Sequence, residues 1–107
     1  MYNIDKQTDK EVMTMMVGTC SVELMMQETN SLKDKRQIIK SLIGRIQSRF
    51  NASVAEVDLQ DKWRSAVIGI ACVSTTTKHA NQMIDSIIKF IEGDNRVEII
   101  HFDIEIL

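Results

Sequence analysis

No glycine stands between Gly18 and Gly44, so the first loop of the chain cannot wrap a phosphate as a glycine-rich loop does. The two cysteines, Cys20 and Cys72, are isolated, with no CxxC or Cys/His spacing. That removes zinc and a redox pair and leaves two buried free thiols as the expectation. No apolar run reaches the roughly 20 residues that span a bilayer, so no membrane partner is expected. The polar start, Met1 to Glu11, lacks the apolar stretch of a signal peptide, and the expected location is the cytoplasm. No Ser/His/Asp or Cys/His set stands at a recognisable spacing, so no catalytic residue, metal ligand or cofactor is assigned. A net charge of −2 argues against a protein that coats nucleic acid indiscriminately.

What remains is an ordinary globular composition, 44% hydrophobic over 107 residues, enough for one modest core. Residues 1–12 show no apolar periodicity and are expected to form a flexible tail, with one domain over residues 13–107. Met15 to Met26 alternates as a strand, with Met16, Gly18, Cys20, Val22 and Leu24 on one side. Ser31 is a natural helix N-cap, and Leu32, Ile39, Leu42, Ile43, Ile46 and Phe50 form the apolar stripe of the helix that follows. Ala52 to Leu59 reads as a second strand of ambiguous phase, because Val54 and Val57 have opposite parity. Arg64 to Ser74 is a third strand, apolar on both alternating sets and therefore expected to be covered on both faces. Thr75 to Thr77 caps a second helix marked by Ala80, Met83, Ile84, Ile87, Ile88 and Ile91, which stops near Gly93. Val97 to Leu107 closes the chain as a fourth strand, with Ile100, Phe102, Ile104 and Ile106 inward and Ile99, His101, Asp103 and Glu105 outward. The order βαββαβ predicts an α+β, ferredoxin-like split βαβ sandwich, a four-stranded antiparallel sheet with two helices on one face. Its helix-free face is apolar enough to predict a homodimer through that open face, or a cover from the tail.

Charge is distributed unevenly. Ser31 to Phe50 holds six basic residues, Lys33, Lys35, Arg36, Lys40, Arg45 and Arg49, against the single acid Asp34. Three of them crowd the start of the helix, where the dipole disfavours cations by about 0.3 to 1 kcal/mol each unless an anion offsets them. Lys33, Lys35, Arg36 and Lys40 are therefore the candidate phosphate contacts, set against the plainer reading of a solvated helix surface. Trp63, in a turn between Lys62 and Arg64, either stacks a base or folds over the end of the sheet to shield the core. His79 and His101 lack partners at recognisable spacing and read as surface or interface residues. Glu56, Asp58 and Asp61 offer a divalent-ion site, with a solvated hairpin edge as the plainer reading.

Met16-Val17-Gly18, Ser31-Leu32-Lys33-Asp34-Lys35-Arg36, Arg49-Phe50-Asn51, Ser53-Val54-Ala55-Glu56-Val57, Gln60-Asp61 with Trp63 and Ala66, and Ile104-Glu105-Ile106-Leu107 occur in that order. In these motifs the chain resembles the short bacterial YlxP-like family, a domain of unknown function, over Met16 to Leu107. The resemblance implies a ferredoxin-like fold and an association with genes for translation and ribosome maturation, without an established activity. The expected function is a small non-enzymatic factor that contacts RNA or the small ribosomal subunit through Lys33, Lys35, Arg36, Lys40, Trp63 and Arg64. Two alternatives are a homodimeric ligand-sensing or assembly module that binds a small phosphorylated metabolite, and a metal-dependent nuclease using Asp58 or Asp61 with a dimer partner. The open sheet face, with Glu23, Asp103 and Glu105 and no aromatic pair, is a poor RNA platform.

Overall fold

The computed structural model describes residues 15–107 and has the expected βαββαβ order. The expected tail, residues 1–12, lies outside the described residues. Strand β1 is Met16–Met25, helix α1 Leu32–Arg49, strand β2 Ser53–Asp58, strand β3 Ser65–Ser74, helix α2 Thr77–Glu92 and strand β4 Glu98–Ile106. All strand pairs are antiparallel, and the order across the sheet is β2-β3-β1-β4. The fold is α+β, with α1 packed on β2 and on α2, and α2 on β1, β3 and β4.

Alternation decides which residues reach the core. Cys20, Val22 and Leu24 of β1 and Ala66, Ile68, Ile70 and Cys72 of β3 meet Ile39, Leu42 and Ile46 of α1 and Ile84, Ile87, Ile88 and Ile91 of α2. Gly18 lets α2 approach β1 closely, because a Cβ there would sit 2.9 Å from Ile84 Cδ1 and 3.3 Å from both Ala80 Cβ and Cys72 Sγ. Both helices are capped as their sequences suggest. The Asp34 and His79 N–H groups donate to Ser31 Oγ (3.1 Å) and Thr76 Oγ1 (3.0 Å). Asp34 is shorter than the usual capping-box acid, and its carboxylate accepts from Asn30 N–H, one residue before the cap.

Two bulges interrupt the strands. One, between Glu56 and Asp58, comes only after alternation has turned Val54 and Glu56 toward the helices and Ser53, Ala55 and Val57 to the open face, where Val57 leans over Gly69. The other falls opposite Glu23 and Leu24 and leaves Ile100 unpaired. Ile99 therefore pairs with Leu24 and packs against the core, which corrects the outward placement expected from strict alternation. The open face is not covered among the described residues. Val73 of β3 remains 59% exposed there, beside Val57 of β2 at 53%, so the expected cover of β3 on both faces is not supplied by the described residues.

Both cysteines are free and buried. Burial, with a smaller contribution from the Asp103 charge, pushes the Cys20 thiol up to about 11, and burial also raises Cys72. A thiol without thiolate is inert. Ellman's reagent should find neither cysteine in the folded protein and both after denaturation, and fast labelling of either in the folded state would contradict this packing.

Candidate nucleic-acid interface

Helix α1 begins at the same end of the sheet as the β2–β3 turn, and the two are tied together. Thr29, buried in the loop before α1, donates its hydroxyl to Trp63 C=O (2.7 Å) and to Met26 C=O (3.2 Å). Arg64 Nε returns a hydrogen bond to Thr29 C=O (3.1 Å), and Met26 N–H donates to Arg64 C=O (2.8 Å). The backbone on both sides of Trp63 is thereby fixed while its indole stays 54% exposed. Trp63 does not fold over the sheet as a core shield. It is presented outward on an anchored turn.

The six cations of α1 divide into two sets. Lys33, Arg36 and Lys40 are exposed along one flank, and none has an acidic partner among the described residues. Arg45 pairs with Asp94 at 3.2 Å and lies over the Phe90 ring, and Arg49 lies over both Phe90 and Phe50. Lys35 departs from the expectation. It is completely buried, continues the inward row of Ile39, Leu42 and Ile46, and donates Nζ to Leu59 C=O at 2.6 Å. Its ammonium also lies 2.8 Å from Glu56 Oε2, an ion pair that is out of line for a hydrogen bond. Lys35 is therefore not an external phosphate contact, because its charge is spent on β2. The crowding of cations at the helix start is correspondingly smaller than the sequence suggests.

The same pairing dismantles the acidic trio. Glu56 points inward to Lys35 and Asp58 Oδ1 accepts from Leu59 N–H (2.8 Å), so Glu56, Asp58 and Asp61 are not gathered as ligands. Among the described residues no group of three or more His, Cys, Asp or Glu side chains is placed to hold a metal ion. His79 Nδ1 lies 2.7 Å from Ser74 Oγ at the opposite end of the sheet, and His101 Nε2 lies 3.0 Å from Asp103 Oδ2 on the open face. That face forms a shallow trough of about 630 Å³ whose floor is small, with Thr19, Ser21, Gly69 and Ala71, and whose β4 side carries Asp103 and Glu105. Negative charge there disfavours a phosphate.

The pattern of the family described as "Protein of unknown function (DUF503)" matches residues 17–104. The chain belongs to this family. A relative from Bacillus subtilis (strain 168), described as "Uncharacterized protein YlxP", is 31% identical over 83 residues, covering 78% of this chain and 90% of the relative. Among solved structures, the "De novo designed protein Foldit4" is similar with a TM-score of 0.49 and 12% identity, over 87% of this chain and 96% of the design. The matched span of the DUF503 pattern takes in α1, the turn around Trp63 and most of β4. No helix among the described residues is long and apolar enough to cross a membrane.

Proposed function

We propose that this DUF503 protein is a small non-enzymatic RNA-binding factor that contacts RNA phosphates, those of the small ribosomal subunit among them, through Lys33, Arg36 and Lys40. Trp63 and Arg64 extend the contact from the anchored turn. The observation that carries this reading is the division of the α1 cations: three are engaged by the fold, while the three on the opposite flank are exposed and unpaired among the described residues. Seven residues separate Lys33 from Lys40, about 10 Å along the helix, so the flank spans more than one phosphate. The translation-related setting implied by the family resemblance agrees with such a partner.

The test is a titration of ribosomal RNA fragments over a series of salt concentrations. The K33A/R36A/K40A variant should bind more weakly, and the slope of log K against log salt should fall by about 2 to 3, the share of three phosphate contacts. W63A should weaken binding by about 1 to 3 kcal/mol, with the salt slope unchanged, if the indole stacks a base. Wild-type affinity of the triple variant at low salt would sink the proposal.

A further inference from the structure

Strand β4 is an edge whose run from His101 to Ile106 is regular, its one bulge, at Ile100, lying near the start of the strand. It is nine residues long, and nothing described pairs with its outer side. The opposite edge, β2, is only six residues long and bulged at Val57, which are usual defences against strand addition. On β4, Ile100, Phe102 and Ile104 remain 47%, 41% and 40% exposed, although Phe102 and Ile104 pair with the core residues Val22 and Cys20. The helices do not reach far enough to cover them. A long edge with half-bare apolar side chains is a template for another strand.

The hydrogen-bond phase of that edge is fixed. Val17 and Leu107 exchange both N–H···O=C bonds, at 3.2 and 2.8 Å. Alternation from that pair gives Glu105, Asp103 and His101 to β1, and turns the N–H and C=O groups of Phe102, Ile104 and Ile106 outward. A second copy of β4 related by a two-fold axis must then bond through these even-numbered residues. Among such registers, the one centred on Phe102 places Phe102 against Phe102 and Ile100 against Ile104 of the other copy on the helix side. On the open side it sets His101 against Asp103 twice. Moving the centre to Asp103 faces Asp103 with itself, moving it to Ile104 faces Asp103 with Glu105, and moving it to His101 faces the two histidines. Of these four registers, only the one centred on Phe102 opposes no two like polar side chains.

We infer that the protein forms a two-fold homodimer by antiparallel pairing of β4 with β4 of a second copy, centred on Phe102, giving a continuous eight-stranded sheet. This surface is distinct from the open face expected from the sequence, and it leaves the α1 flank free. Sedimentation of the full chain from micromolar to millimolar concentration tests it, with thermal melts confirming that each variant is folded. The wild type should reach twice the chain mass, F102E should remain a monomer, and V73E, on the open face, should dimerise as the wild type does. H101D should weaken the dimer about tenfold by opposing carboxylates across both pairs, and H101D/D103K should restore it by making them unlike again. A wild type monomeric throughout, dissociation by V73E but not F102E, or no rescue in the double variant would each overturn the inference.

Discussion

The K35M variant should unfold with about 3 to 5 kcal/mol less stability than the wild type, measured by urea titration monitored through Trp63 and by circular dichroism. A lysine on a solvated helix surface would change stability by about 0.5 kcal/mol or less on the same substitution, which is the expectation for K33M and K40M. The difference arises because Lys35 is completely buried and paired. Removing its ammonium leaves the Glu56 carboxylate, itself only 17% exposed, without a counter-charge and strips a donor from Leu59 C=O. An uncompensated charge costs more than the pair contributed, so K35M/E56M should recover most of the loss. If K35M and K33M prove equally mild, the buried pair does not exist in solution.

Lys35 also bears on the candidate interface without touching a ligand. Leu59 has φ of +60°, a left-handed conformation that a branched side chain adopts at a cost of about 1 to 2 kcal/mol. Its carbonyl accepts from both Lys35 Nζ and Lys62 N–H (3.1 Å), which holds the turn leading to Trp63. Loss of the ammonium should therefore speed amide exchange at Lys62 before it affects the central strands.

The element order was legible because each apolar set keeps one period. Ile39, Leu42 and Ile46 can only be a helix face, and Ala66 to Cys72 only a buried strand. The position of Lys35 was legible too, since it lies four residues before Ile39 and seven before Leu42, but its charge argued for the surface. Only the partner, Glu56, explains why it is inside, and that partner was hidden because Val54 and Val57, on opposite faces of β2, are equally apolar. A bulge misled the parity reading at Ile99, because it adds one residue to β4 and flips the phase beyond it, whereas Val57 was ambiguous because an apolar side chain stands on the open face. The exposed cations were visible as a charge run, whereas the ties that anchor the Trp63 turn, through Thr29, join residues 34 and 35 positions apart and leave no local pattern.

Asp94 is the second position where a single substitution should act strongly, and its effect should depend on pH. The carboxylate is buried after α2 and accepts Arg96 Nε (2.9 Å), Arg96 Nη2 (2.7 Å), the Arg96 N–H (3.0 Å) and Arg45 Nη1 (3.2 Å). Arg96 in turn reaches Ser41 Oγ (3.2 Å), so the group ties the α2–β4 connection to α1. The Arg96 hydrogen bonds, against the opposing effect of burial, hold the Asp94 carboxyl below its ordinary value of 3.8. As pH falls, the unfolded chain takes up this proton before the folded one does. The stabilisation is thus complete at neutral pH and disappears below the ordinary carboxylate range. D94N should cost about 2 to 4 kcal/mol at neutral pH, and the gap to the wild type should close between about pH 5 and pH 2. R96A should resemble D94N because it removes the two-pronged partner. R45A should be milder, since Arg45 is 55% exposed and contributes one longer bond. A gap between wild type and D94N that stays constant down to low pH would mean that Asp94 acts through its shape alone, and the charge network would then have no part in holding α1 against the end of α2.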